Sequence, residues 1–295
     1  MREKIGLISS FVIDGYVGLR AAVPAVQILG AYPLVVPTVI YTTHAGVRGA
    51  KGEVINSSIL DFSLAYLFEK KLNCLITGFL GTELIGKKVL EYLEEMKRKK
   101  IETKIIVDPI LGDFPKGLYV SPVLAELTKE KLIKLAYAIT PNKYEAQYLS
   151  GMEIKDKKSA LEVVLSLHSL GPEVVVITSY RIDYDKKRIY DLVSFGRKVY
   201  EISCPLITDK STSGAGDMYS ALLGVLLSQR FEPYLAAAVS SALVNRSVFL
   251  ANQMGGGSVN PIDSLTPFIS YFDLKRSEEE IKQFLASLDV TIIPL

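Results

Sequence analysis

The sequence predicts one α/β domain spanning residues 1–295, built on a mostly parallel sheet with an antiparallel edge hairpin. Three observations carry that reading. Short apolar runs rich in β-branched residues alternate with amphipathic segments, the pattern of helices covering a parallel sheet. The stretch 188–202 breaks the alternation, because 189–193 and 198–202 flank Gly196 like the arms of a hairpin. No linker or internal repeat divides the chain, although its length by itself allows either one large domain or two smaller ones.

In chain order, strands are predicted at 5–9, 34–40, 74–77, 104–107, 137–140 and 174–178. A helix is predicted at 84–100, where Leu84, Ile85, Val89, Leu90, Leu93 and Met96 recur at helical spacing. After Ser213 the chain turns helical, most clearly at 218–228 and 235–250.

Composition excludes several function classes. Hydrophobic residues make up 49% and charged residues 22%, an ordinary globular balance that predicts folding throughout. The 34 Lys plus Arg nearly cancel the 32 Asp plus Glu, so overall charge attracts no nucleic acid. The apolar run 4–10 meets Asp14 and Gly15 at once, too short for a signal peptide, and no stretch approaches the roughly 20 uncharged apolar residues of a membrane span. A cytoplasmic protein without a membrane partner is expected. Cys74 and Cys204 lack CxxC spacing and read as buried thiols, with a disulfide between them as the alternative. The sequons at 56–58 and 245–247 carry no weight without secretion.

The most informative segment is Ser213-Gly214-Ala215-Gly216-Asp217, directly before an apolar helix. Two glycines there let the backbone turn tightly and point successive N–H groups outward at the positive end of the helix, which builds an anion hole for a phosphoryl group. Asp217 adds a carboxylate able to take a proton from a substrate hydroxyl. The alternative for these residues alone is a loop with Asp217 as a helix cap.

A second phosphate motif, Gly81 to Lys88, fails as a P-loop, because Lys88 stands where Ser or Thr must bind magnesium and Glu83 puts negative charge in the cradle. Asp108 and Asp113 follow the fourth strand, and Thr140-Pro141-Asn142-Lys143-Tyr144-Glu145 follows the fifth. Carboxylates at strand C-termini sit where open α/β sheets bind ligands, and suit magnesium held partly by phosphates; capped turns are the alternative. Thr178 and Ser179 offer hydroxyls to the same crevice. Of the two histidines, His168 reads as structural, whereas His44 is either a ligand contact or a satisfied loop residue. No GxSxG elbow supports a hydrolase.

Taken in order, these segments resemble the pyridoxal kinases, a branch of the ribokinase-like superfamily, from the first strand to the C-terminus. Ser10 to Gly18 is similar to the family's SHVxxGYVGN opening, and Thr43-His44-Ala45-Gly46 to its NHTG. Asp108 to Asp113, Thr140 to Glu145, Val176 to Ser179 and Gly214 to Asp217 resemble its DPVMGD, TPNxxE, VITS and GTGD blocks. The resemblance implies a three-layer α/β/α ribokinase-like fold, usually as a homodimer. It implies phosphorylation of the 5'-hydroxymethyl group of a B6 vitamer by ATP with Mg2+ and often K+.

Carried over by position, Asp217 is the catalytic base and Gly214, Ala215 and Gly216 the anion hole. Ser10, Val17, His44, Ala45 and Phe79 line the vitamer pocket. Asp108, Asp113, Thr140, Asn142, Glu145, Thr178 and Ser179 surround ATP, with Asp108, Asp113 and Glu145 also toward the metal; Thr208, Asp209 and Lys210 lie near the nucleotide. Residues 116–120, with Tyr119, look like a shortened flap over ATP. The sequence departs from the family at Phe11 (usually His), Leu19 (Asn), Ala45 (Thr), Phe79 (Tyr) and Ala215 (often Thr), mostly at the vitamer end. The rival readings are a hydroxymethylpyrimidine kinase and a nucleotide-binding protein that has lost catalysis.

Overall fold

A computed structural model describes residues 2–207, 212–272 and 276–295, without the side chains of residues 270 and 272. One sheet holds ten strands: β1 (Lys4–Val12), β2 (Tyr32–Tyr41), β3 (Gly52–Val54), β4 (Cys74–Thr77), β5 (Lys104–Val107), β6 (Ala138–Ile139), β7 (Val174–Asp183), β8 (Arg188–Phe195), β9 (Lys198–Pro205) and β10 (Thr291–Pro294). Their spatial order is β10-β9-β8-β7-β6-β5-β4-β1-β2-β3. Every pairing from β2 across to β7 is parallel. The flanking pairings, β2 with β3 and β7 through β10, are antiparallel.

Alternate residues along the central strands feed two cores, because successive side chains of a strand point to opposite faces. On one face Ile5, Leu7, Cys74, Ile76, Ile106 and Val176 pack against α1 (Leu19–Ile28), α7 (Ala215–Ser228), α8 (Pro233–Gln253) and α9 (Glu278–Ser287). On the other, Ile8, Leu75, Ile105, Val107 and Ile177 pack against α2 (Ser57–Phe68), α3 (Glu83–Arg98), α4 (Pro122–Leu127), α5 (Lys143–Ser150) and α6 (Lys157–Ser169). The result is the expected three-layer α/β/α architecture with an antiparallel edge.

Element boundaries differ from expectation for identifiable reasons. The helix expected at 84–100 starts at Glu83 behind the Thr82 cap and ends at Arg98. The strand expected at 174–178 runs on to Asp183 because β8 folds back along it. That pairing slips: Arg181 faces Tyr190 and Ile177 faces Leu192, which leaves residues 178–180 opposite Asp191 alone, a bulge in β7. Strands β3 and β10 carry no clear sequence signal, since almost every residue in them is exposed. The disulfide alternative fails, for Cys74 on β4 and Cys204 on β9 are free and buried. Among the described residues α8 alone is long and apolar enough to cross a membrane, yet 61% of its most apolar window is buried and it carries Arg246.

Candidate active site

The parallel strands end along one edge, and the chain beyond each is stitched to its neighbour: Asp108 N–H to Thr77 O at 2.9 Å, Thr140 N–H to Val107 O at 3.3 Å, and Thr178 N–H to Pro141 O at 2.9 Å. The N-terminus of α7 comes to this edge. Gly214 caps it at φ 82°, and a Cβ there would fall 1.9 Å from the carbonyl oxygen of Tyr16, so only glycine fits. Gly216 stays open to solvent, with the position of its missing Cβ 3.8 Å from Asp108 Oδ2. Ala215, Gly216 and Asp217 form the first turn, whose N–H groups have no partner within the helix and attract anions.

Asp217 is therefore the third residue of the helix rather than its cap. Burial pushes its carboxyl up to about 6, while the N–H groups of Gly18 and of Asp217 itself pull it back down. Gly18 is itself constrained, since a Cβ on it would meet the Ser10 carbonyl oxygen at 2.2 Å. The loop after β1 thus packs on Ser10 and orients Asp217 together.

Asp108 is buried, and its carboxyl is raised well above the usual range by burial first, then by Glu145 and Asp217. It accepts a 2.5 Å hydrogen bond from Ser220 Oγ, one turn beyond Gly216, and Thr140 Oγ1 lies 3.3 Å from that hydroxyl. Ser220 was not among the expected site residues; its only sequence signal is a hydroxyl inside an otherwise apolar helix.

Glu145 is buried as well, and burial raises its carboxyl to about 7 against three backbone hydrogen bonds. Its Oε1 accepts from Leu111 N–H at 2.8 Å and Gly112 N–H at 3.4 Å, and its Oε2 from Asn142 N–H at 2.9 Å. Asn142 Oδ1 in turn accepts from Glu145 N–H at 2.9 Å, completing a capping box, and Asn142 Nδ2 donates to Gly112 O at 2.9 Å. Glu145 therefore fastens two loops together. Asp113, on a short hairpin of Gly112–Asp113 with Gly117–Leu118, accepts from Phe114 N–H at 2.8 Å; burial raises its carboxyl while that bond and Lys116 lower it. Tyr119 is half exposed beside Asp113 and Glu145.

Among the described residues no three Asp, Glu, His or Cys side chains stand close enough to cage a metal. The expected ligand trio of Asp108, Asp113 and Glu145 is thus not assembled as a cage, because Glu145 and Asp113 are turned to backbone N–H groups. Buried carboxylates that raise one another still fit a cation, and magnesium commonly takes one or two carboxylates plus phosphate oxygens. Asp108 is the side chain placed to supply one.

Toward the expected acceptor side, Ser10 and Val17 are buried and Phe79 is half-buried. The Phe79 backbone is held by Ser9 Oγ at 3.1 Å and by Thr38 Oγ1 at 2.7 Å. His44 and Ala45 are exposed; His44 Nδ1 accepts from Gly46 N–H at 3.2 Å, and partial desolvation of the ring, then Lys116, lower the imidazole. That loop meets the hairpin carrying Lys116.

Beside α7 lies a cavity of about 150 Å3 lined by Thr178, Asp191, Ala215 and Gly216 together with apolar Ile189 and Val244. Ser179 also lines it. Thr208, Asp209 and Lys210 lie outside the described residues.

The phosphomethylpyrimidine kinase family model matches residues 14–263. Human pyridoxal kinase is 32% identical over 245 residues, covering 76% of this chain and 77% of that protein. Arabidopsis thaliana pyridoxal kinase is 30% identical over 227 residues, covering 73% and 71%. The structure of Entamoeba histolytica pyridoxal kinase superposes with a TM-score of 0.83 at 25% identity, covering all of both chains. A Leishmania donovani pyridoxal kinase in complex with ADP and pyridoxamine gives 0.81 at 24%, covering 99% of each. With the glycine turn, buried carboxylates and sheet order already described, these matches place the chain in the pyridoxal kinase family of the ribokinase-like fold.

Proposed function

We propose that this chain transfers the terminal phosphoryl group of ATP to the 5'-hydroxymethyl group of pyridoxal, and of pyridoxine and pyridoxamine, giving the 5'-phosphate and ADP. The observation that carries the chemistry is Asp217, a carboxylate near 6 in the first turn of α7, oriented by Gly18 N–H and flanked by the open backbone of Gly216. The identity of the acceptor rests on the family. As the hydroxymethyl oxygen attacks the terminal phosphorus, its proton passes to Asp217 and the bond to the ADP oxygen breaks. The N–H groups of Gly214, Ala215 and Gly216 face the charge that gathers on the transferring group. Ser220 and Thr140 hold Asp108, while Glu145 holds the 111–112 and 142 loops against each other. Magnesium, when bound, neutralises the phosphates beside Asp108, and K+ is the monovalent ion to supply.

A location in the cytoplasm agrees with the two free thiols. Assembly as a homodimer is supported by α2, whose buried stripe of Leu60, Leu64 and Leu67 is matched by a second, exposed stripe of Ile59, Phe62 and Tyr66 beside Tyr32 and Val35 of β2. Sedimentation at the mass of two chains checks that assembly.

The deciding experiment measures ATP consumption with the three vitamers and hydroxymethylpyrimidine, in magnesium and in EDTA. Turnover of a vitamer that EDTA stops is expected. Efficient turnover of hydroxymethylpyrimidine alone would favour the hydroxymethylpyrimidine kinase reading. ADP binding without any turnover would mark an inactive nucleotide-binding protein.

A further inference from the structure

The bulge in β7 raises a structural question that the phosphoryl site does not answer. Residues 178–180 have only Asp191 opposite them, so part of this segment finds no ladder partner on β8. Ser179 sits at φ 51°, a left-handed conformation that disfavours residues with a side chain. Its N–H is satisfied by the Asp191 side chain, Oδ1 accepting at 2.6 Å. The other oxygen, Oδ2, accepts from Ser241 Oγ on α8 at 2.6 Å. One carboxylate thus fills the gap in the ladder and ties the bulge to the helix across the cavity that Thr178, Ser179, Asp191 and Ser241 line.

We propose that Asp191 is a positioning residue for the nucleotide: it holds the bulge that presents Thr178 and Ser179 to the cavity beside the anion hole. This inference rests on the reading of that cavity as the ATP site. Burial raises the Asp191 carboxyl, with the Ser179 and Ser241 bonds lowering it, as befits an acceptor whose value lies in geometry. Asparagine can reproduce that geometry, because its oxygen accepts from Ser179 N–H and its amide donates to Ser241 Oγ. Alanine can do neither, and it leaves a strained turn without its partner.

The test is calorimetric binding of ADP with magnesium to wild type, Asp191→Ala and Asp191→Asn, alongside KM for ATP and for pyridoxal. Asp191→Ala should weaken ADP binding and raise KM for ATP about tenfold, the scale of losing hydrogen bonds to a charged acceptor. KM for pyridoxal should stay within about twofold, a split that general loss of stability would not produce. Asp191→Asn should recover most of the lost affinity. Unchanged ADP binding in Asp191→Ala overturns the proposal, as does equal weakening by alanine and asparagine or a parallel rise in both KM values. Should Asp191→Ala fail to fold, Ser241→Ala removes one of the two bonds to the carboxylate and spares the one from Ser179 N–H: weakening of about threefold is expected, and unchanged binding overturns the proposal. A wild-type protein that binds ADP but phosphorylates no vitamer would sink the vitamer reading and leave this test standing. One that binds no ADP overturns both.

Discussion

The cluster of Asp108, Glu145 and Asp217 and the loop of Thr43 to Gly46, the two ends of the proposed site, are built on different terms. In the cluster each carboxylate is held by backbone N–H groups or by a hydroxyl, and burial shifts all three toward the protonated form. In the loop His44 and Ala45 are exposed, and the imidazole accepts from its own turn. The difference separates two tasks. Stabilising charge in transfer needs fixed dipoles in a site of low polarisability, so the groups must be set before substrate arrives. Choosing among heterocycles with similar hydroxymethyl groups needs only modest differences in binding, which a surface loop can supply. Substitutions on the two sides should accordingly differ in size and in the kinetic constant they change.

The largest effect is expected from Asp217→Asn, which keeps the shape of the helix turn but cannot take the hydroxyl proton. A positioned general base is worth about a hundredfold to ten-thousandfold, and kcat should fall by that much while ADP binding persists. Steady-state rates with calorimetry check it; more than about a tenth of wild-type kcat would remove Asp217 from its role. A smaller loss, about tenfold in kcat, is expected for Ser220→Ala, which takes the hydroxyl from a buried carboxylate. An unchanged rate would show that Asp108 is held without it.

How far the sequence foretold these regions follows the same division. The glycines, Asp217, Asp108 and the capping box of Asn142 and Glu145 were legible because each needs a particular residue type at fixed spacing. Gly18 orients Asp217 from almost 200 residues away, a contact with no local signature. Ser220 resembles any helix serine until β5 delivers Asp108 beside it. Asp191 is hidden further still, since the bulge it fills arises only when β8 pairs with β7. Acidity alone could not show that Glu145 and one oxygen of Asp113 also bind backbone N–H groups, since the loops that supply those groups to Glu145 meet it only in the fold. In the fold, the buried strands stood out by their apolar runs, while exposed β3 and β10 did not.

The two regions also respond differently to pH. Asp217 works only when unprotonated, so kcat/KM should fall about tenfold per unit below a midpoint near 6. His44 is shifted the opposite way, below its ordinary 6.5, by desolvation and by Lys116. Stability should run the opposite way. A carboxyl raised from 3.8 to about 6 by folding stabilises the protein below the unfolded value, and that contribution is lost as pH rises through about 6. Buried Glu145, also raised, acts in the same direction. Between pH 5 and 7 the nucleotide-free protein should therefore melt at lower temperature as its activity increases. Parallel melting curves and rate profiles check this, and activity that declines together with melting temperature on the acid side would mean acid unfolding rather than titration of the base.

The smallest effect is expected at Ala45, where the family usually carries threonine. Its neighbour His44 is fixed by Gly46 N–H, so the loop already has a shape, and a hydroxyl added at 45 would project from an exposed position without displacing a packed side chain. If the loop folds onto the acceptor ring, that hydroxyl gains one neutral hydrogen bond, worth about 0.5–1.5 kcal/mol net. The gain is at most about tenfold in affinity, and solvent on the open side should hold it nearer twofold or threefold. Ala45→Thr should thus lower KM for at least one of pyridoxal, pyridoxine and pyridoxamine. It should leave kcat unchanged, because a contact made equally in ground and transition states alters binding alone. Steady-state kinetics on all three vitamers measure it. A change in kcat of tenfold or more would join the loop to the carboxylate cluster and erase the division between them, whereas identical KM values for every vitamer would place Ala45 outside the acceptor pocket.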